Sequence, residues 1–363
     1  SVKLKGKSDN ESANASMSVR TGRECFRALT TPEAVTLVSS AGKVRASVPA
    51  GSKATADMVQ TDEAFWSVFS FRFLSGAGFT RADCDAGLPR AVLSATIARQ
   101  LFGTTDVVGH TVQLNYIDYT VAGVVADVSM LATAAYAQIW VPYTAADAES
   151  LSWQDDTMGP MHAVILAHSS ADFDAIRKET ELLRQKYNDG LRDVEIFYRG
   201  QPDTQLAYLY RRWYAEPDVP GVMLRYGIVI AILLLVPAVN LSGMTLSRMR
   251  RRMAEIGVRK AFGATGGELI RQVFFENFVL TLLAGVVGLA LSYAATFLLN
   301  DFLFSNSTNA YLSGETALTP GMLLSPWAFI AAFAFCLLMN VLSAGIPAWR
   351  ASRMNITDAI NQR

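Results

Sequence analysis

Three apolar runs, Tyr226 to Leu246, Phe278 to Leu299 and Trp327 to Pro347, crowd into residues 222–363 of a 363-residue chain. The hydrocarbon core of a bilayer is about 30 Å thick and takes about 20 apolar residues in helix, so each run is long enough to span it. Residues 1–221 contain no such run. The chain therefore reads as an α-helical transmembrane domain joined to a water-facing domain. Formal charge follows the same division: residues 1–221 hold 21 basic and 26 acidic side chains, and residues 222–363 hold 11 and 6. Segregated charge is expected when two parts of a chain occupy different compartments.

The loop between the first two runs, Arg248 to Gln272, carries seven Lys or Arg and two Glu. Short basic loops stay in the cytoplasm, which orients the spans. The connection Asn300 to Ser325 has Asp301 and Glu315 and no basic residue, while the tail from Ala348 is basic again, so the signs alternate in, out, in. Residues 1–221 are then expected on the outer side of the membrane. Residues 1–20 are polar and offer no signal or span, so a fourth span is expected ahead of this numbering. Within the first run, Pro237 and Asn240 are expected to kink the helix and bury its polar face.

The outer part is expected to be α+β. Residues 12–60 and 161–200 read as strand, helix and strand pieces of one α/β sandwich, with the helix DFDAIRKETELLRQKY placing Phe173, Ile176, Leu182, Leu183 and Tyr187 on its apolar positions. Residues 61–160 read as a β-rich insertion holding a short helix, ATIARQLF, and residues 201–221 as a stalk. In the stalk, Tyr208, Tyr210, Trp213 and Tyr214 gather near Arg211 and Arg212, a composition that suits a membrane interface or a packed helix equally.

Little here resembles catalytic machinery. No G-x-x-x-x-G-K-[ST] phosphate loop occurs, and His110, His162 and His168 share no metal-ligand spacing. Asp155 and Asp156 are adjacent carboxylates that an extended chain points apart. Cys25 and Cys84 form either a disulfide or two packed thiols. Small residues recur every fourth position, Ala284, Gly288, Ser292 and Thr296 in the second run and Ala332, Cys336, Asn340 and Ala344 in the third. They allow close helix approach, either within one subunit or along a dimer seam.

The basic loop is more specific. With Arg250 to Phe262 helical, Arg252, Glu255 and Arg259 share a side, and Glu255 precedes Arg259 by four residues, the favourable order for an ion pair. Gly263 is placed to end that helix, and Thr265 with Glu268 forms a T-x-x-E box that starts the next. The run RRMAEIGVRKAFGATGGELIRQVFFEN and the ending PAWRASRMNITDAI resemble the permease domain of the MacB/FtsX type of ABC transporter. Asn355-Ile356 stands where that ending usually has Asn-Pro. AVLSATIARQLFGTTDVVGHTVQL, YTVAGVVADV and IWVPY resemble the MacB-type periplasmic core domain.

That resemblance implies a permease that works by mechanotransmission. Arg252, Glu255, Ile256, Gly257, Val258, Arg259, Lys260, Ala261, Gly263 and Ala264 would form the helix that contacts a separate ABC ATPase subunit. ATP and Mg would act through that partner, and the chain itself is expected to bind no cofactor or metal. A second permease copy or a homologous permease is the other implied partner, with a periplasmic adaptor or lipoprotein as a further candidate and no role for nucleic acid. A membrane-anchored sensor or scaffold that regulates a periplasmic partner is the alternative reading.

Overall fold

The computed structural model describes residues 2–5, 12–49, 51–130, 132–146, 148–211, 216–236, 265–298 and 329–339, together with 247, 258, 262, 263 and 327. Strands β1 (Val2–Leu4) and β2 (Ser12–Ala13) come first, and α1 (Val19–Gly22) then runs into a π-helical turn over Arg23–Arg27. Next are β3 (Ala34–Ser39), β4 (Gly42–Ser47), β5 (Lys53–Thr61), α2 (Phe65–Val68), β6 (Phe73–Gly76), α3 (Arg81–Asp85) and β7 (Arg90–Ser94). They are followed by α4 (Ala95–Phe102), β8 (Thr111–Leu114), β9 (Ile117–Val125), β10 (Ile139–Pro142) and β11 (Met161–Leu166). Helix α5 (Phe173–Gly190), β12 (Val194–Ile196) and α6 (Gln205–Tyr210) end the first of two compact units, built on Ser1–Pro217. The second unit begins at Asp218 and contains α7 (Val219–Val236), α8 (Gly266–Leu298) and α9 (Phe329–Met339).

Six strands of the first unit close on themselves. Their order is β10, β7, β9, β8, β4, β5, and a parallel pairing of β5 with β10, Met58 opposite Ile139, joins the two ends. Closure removes free edges from these strands. Alternation along each strand sends one face inward: Val44 and Ala46, Ala54 and Ala56, Ala91 and Leu93, Val112 and Leu114, Tyr119 and Val121, Ile139 and Val141 share one core, onto which α4 lays Ile97, Ala98 and Leu101. Four of those inward positions are alanine, and small side chains fit a narrow interior.

Over β5, β7, β9 and β10 the outward face also carries a core. Val59, Val92, Val125 and Trp140 pack with Phe65, Phe79 and Cys84, and Trp66 and Phe71 stand edge-on to neighbouring rings at 5.3–6.3 Å. A bulge in β9, where Ala91 pairs with Val121 and Val92 with Gly123, lets the strand keep both faces covered. Gly123 is needed there, because a Cβ would lie 2.6 Å from the Ala77 carbonyl oxygen.

The third core is α/β. Helix α5, the π turn and β12 with β1 enclose Val2, Cys25, Phe26, Ile176, Tyr187, Val194 and Ile196. The link to the closed strands is β3, which pairs with both β5 and β11. Beneath it Asp62 accepts bonds from the Thr36 hydroxyl at 2.7 Å and the Leu37 amide at 3.0 Å, while Arg27 reaches Glu63 at 2.7 Å.

Several expectations change. Strands β4 and β5, read as part of the α/β piece, pair with β8 and β10 of the β-rich stretch, because long-range pairing and not chain order places them. On α5 the covered stripe is Ile176, Thr180, Leu183 and Tyr187; Leu182 is 65% exposed, since the helical period carries it off that stripe, and Phe173, the first residue of the helix, is also exposed. Cys25 and Cys84 are free thiols buried in different cores. Among the described residues two helices, α7 and α8, are long and apolar enough to cross a membrane, and α9 has 11 described residues. Helix α7 begins seven residues before the expected first span, and Pro237 and Asn240 lie outside the described residues.

Candidate functional site

The site is assembled around the start of α8. Of the expected docking helix, Val258 and Gly263 are described, while Arg252, Glu255, Ile256, Gly257, Arg259, Lys260, Ala261 and Ala264 lie outside the described residues. Val258 is helical, and the Phe262 amide donates to its carbonyl at 3.1 Å, the four-residue bond of an α-helix. Gly263 follows at φ +93°, a conformation that suits glycine and stops a helix. Val258 is 50% exposed and Phe262 89% exposed. Two apolar side chains four residues apart thus stand in solvent on one side of a turn within a basic loop. Sequence reasoning misses Phe262 as a contact residue, although its spacing from Val258 is a legible signal.

Immediately after, Thr265 and Glu268 cap α8 reciprocally: the Thr265 amide donates to the Glu268 carboxylate at 3.0 Å, and the Glu268 amide donates to the Thr265 hydroxyl at 3.3 Å. The Thr265 backbone bond and then its side-chain bond hold the Glu268 carboxyl below the ordinary value. Helix α8 continues for 33 residues. At 1.5 Å per residue that is about 50 Å, well beyond the ~30 Å a bilayer core requires. Its apolar window runs Phe274–Ala295, so the capped end with Glu268 and Arg271 extends past the apolar part.

Further along α8 the helix has a covered side and a bare one. Thr281, Gly285, Leu289 and Tyr293 are buried or half-buried, whereas Ala284, Gly288 and Ser292 are exposed. A Cβ on Gly285 would lie 3.2 Å from the Phe333 ring, which marks a close approach of α9. The contact within the chain therefore uses the row beside the small-residue stripe. On α9, Ala332 and Cys336 are exposed too; Asn340 lies outside the described residues.

In the first unit the candidate histidines and the adjacent carboxylates make local contacts. The His162 imidazole lies 3.0 Å from the Ser16 hydroxyl and 3.2 Å from that of Ser40, and His168 lies 3.8 Å from Glu33. Asp155 and Asp156 occupy a left-handed turn with Gln154, tied down where the Ser18 hydroxyl donates to the Asp156 carbonyl at 2.6 Å. Among the described residues no group of three His, Cys, Asp or Glu is placed to hold a metal ion.

Residues 5–183 match the family model of the MacB-like periplasmic core domain, and residues 227–356 match that of the FtsX-like permease C-terminal domain. The pyoverdine export ATP-binding/permease protein PvdT of Pseudomonas aeruginosa is 25% identical over 298 residues, covering 82% of this chain and 41% of that protein. The uncharacterized ABC transporter permease YknZ of Bacillus subtilis is 25% identical over 301 residues, 82% of this chain and 68% of that one. The solved periplasmic region of MacB from Actinobacillus actinomycetemcomitans is 18% identical with a TM-score of 0.39, covering 54% of this chain and 86% of that structure. The chain thus spans about two fifths of the length of PvdT.

Proposed function

The chain belongs to the family of ABC transporter permeases that join a MacB-like periplasmic core domain to an FtsX-like permease domain, and from that premise we propose that it is the membrane component of an efflux or extraction machine driven by ATP. Members of this family are membrane proteins with a periplasmic domain. In this chain residues 1–221 would be that domain, on the outer side of the inner membrane, and residues 222–363 would hold the spans.

The observation that carries the reading is the build of the loop before α8. An exposed apolar pair, Val258 and Phe262, stands in a strongly basic segment and is followed by a glycine stop and a reciprocally capped helix start. Such a segment offers a partner both apolar contact and charge, the two ingredients of a specific docking surface. The capped, 33-residue α8 then makes a stiff lever, since displacing one end of a continuous helix displaces the other. Its close contact at Gly285 with Phe333 would pass the motion to α9. Work would be done by closure of two ATP-binding subunits, each docked on one permease copy, with no cargo required to pass between the spans. PvdT has ATP-binding and permease functions in its name; here the ATPase is proposed as a separate subunit.

The exposed stripe Ala284, Gly288 and Ser292 would meet a second copy or a homologous permease. Purification of the full chain from its native membrane, followed by identification of co-purifying proteins and assay of ATP hydrolysis, tests the proposal. An ABC ATPase that is retained, and whose hydrolysis responds to the chain, is expected. Retention of a periplasmic hydrolase alone, with no ATP-binding partner, would favour a scaffold.

A further inference from the structure

Helix α6 presents an apolar face to solvent. Leu206, Tyr208 and Leu209 are 45%, 53% and 63% exposed, and Gln205 is the polar residue that shares their side of the turn. Ala207 and Tyr210, on the opposite side, are half-buried. A surface helix of a soluble domain ordinarily has the reverse arrangement, with its apolar stripe inward.

This orientation is fixed by polar contacts at both ends. The Thr204 hydroxyl accepts from the Ala207 amide at 3.2 Å, which starts the helix. At the other end the Arg211 guanidinium pairs with Asp203 at 2.8 Å and donates to the Arg199 carbonyl at 3.2 Å, and the Arg211 and Asp203 side chains are only 9% and 8% exposed. Arg177 of α5 donates to the Pro202 carbonyl at 3.4 Å, which ties the same segment to the α/β core. A helix pinned in this way cannot roll its leucines inward.

Chain length limits what can cover that face. Val219, where the apolar helix α7 begins, is ten positions beyond Leu209, and a fully extended chain of ten steps reaches at most about 36 Å. The face is also small: six residues of helix are about 9 Å long and about 10 Å across, roughly 90 Å², far short of the ~800 Å² per partner that a stable protein interface buries. Leucine and tyrosine close to a span, followed in sequence by Arg212, Trp213 and Tyr214, have the chemistry of the headgroup boundary.

We propose that α6 is an interfacial anchor, lying on the membrane surface with Leu206, Tyr208 and Leu209 in contact with lipid. The inference rests on the reading of α7 as a membrane span.

The test uses the full chain with Cys336→Ser, reconstituted in phosphatidylcholine and phosphatidylglycerol vesicles. Single cysteines at Leu206→Cys, Leu209→Cys, Gln205→Cys, Leu182→Cys and Val229→Cys receive an environment-sensitive fluorophore, and the vesicles contain nitroxide lipids labelled either at the headgroup or deep in the acyl chain. Labels at 206 and 209 are expected to be quenched by headgroup nitroxide several-fold more than the label at 182, which sits on an exposed part of α5. The label at 229 is expected to be quenched by the deep nitroxide. Quenching at 229 without quenching at 205, 206 and 209 overturns the anchor and leaves the span intact; no quenching at 229 removes the span on which the anchor rests. A disulfide between two copies at Leu209→Cys without lipid quenching also overturns it, in favour of a second copy.

Discussion

The carboxylate of Glu179, on α5, receives both backbone amides of the Thr30–Thr31 turn, from Thr30 at 2.8 Å and Thr31 at 3.0 Å, and the Thr30 hydroxyl at 2.7 Å. Burial alone would push its pKa up, but the bonds from Thr31 and Thr30 outweigh it and hold the carboxyl at about 2. A folded pKa below the unfolded one contributes stability that is complete above the ordinary value near 4.5 and disappears as pH falls through about 2. Glu179→Gln is therefore expected to destabilise the outer unit by about 1–2 kcal/mol at neutral pH. Thermal unfolding of both proteins as a function of pH checks this, and the gap between them should narrow as pH drops through that window.

Thr265→Ala removes the hydroxyl that caps α8, and Thr265→Ser keeps it. Amide exchange over Gly266–Ile270 should become several-fold faster in the alanine variant and stay close to the parent in the serine variant. Equal exchange in all three would mean that the reciprocal bonds with Glu268 do not hold the helix start.

Burial raises the Cys25 thiol to about 11 and the Cys84 thiol to about 12. Only the thiolate reacts at a useful rate. A native protein treated with an alkylating reagent at pH 8 should thus carry no label at Cys25 or Cys84, with both labelled after unfolding. Mild oxidation of the folded chain should form no bridge between the two buried residues, because they belong to separate cores.

How much of this was legible varies from element to element. Helix α4 was read residue for residue, because Ser94 and Gly103 punctuate it and its apolar period is clear. The closed strands were not, since the pairing of Met58 with Ile139 joins residues far apart in sequence and leaves no local pattern. On α5 the sequence pointed to Leu182, and the helical period placed Thr180 on the covered stripe instead. At the site, the glycine stop and the capping box were legible as motifs because each is a short-range backbone device. Phe262 was overlooked because an aromatic among arginines looks like a packing residue until its exposure is known.

Two glycines on α8 distinguish the contact within the chain from the proposed contact between copies. Gly285→Leu should disturb the packing of Phe333 and lower the stability of the membrane unit, since even a Cβ there lies 3.2 Å from that ring. Gly288→Leu, on the exposed stripe, should leave the monomer intact and weaken association of two permease copies. Cross-linking in vesicles, with unfolding measured in parallel, distinguishes the two; unchanged association in Gly288→Leu would remove the stripe from the dimer seam.

The central claim is that force enters through the loop before α8, and Glu255→Arg tests it most directly. The full chain would be reconstituted with its ATP-binding partner and spin-labelled at Leu182→Cys, so that the distance between labels on two copies reports movement of the outer units. The account predicts that ATP binding shifts this distance in the parent, and that Glu255→Arg abolishes the shift while the folded chain still reaches the membrane. An undiminished ATP-dependent shift in Glu255→Arg would contradict it.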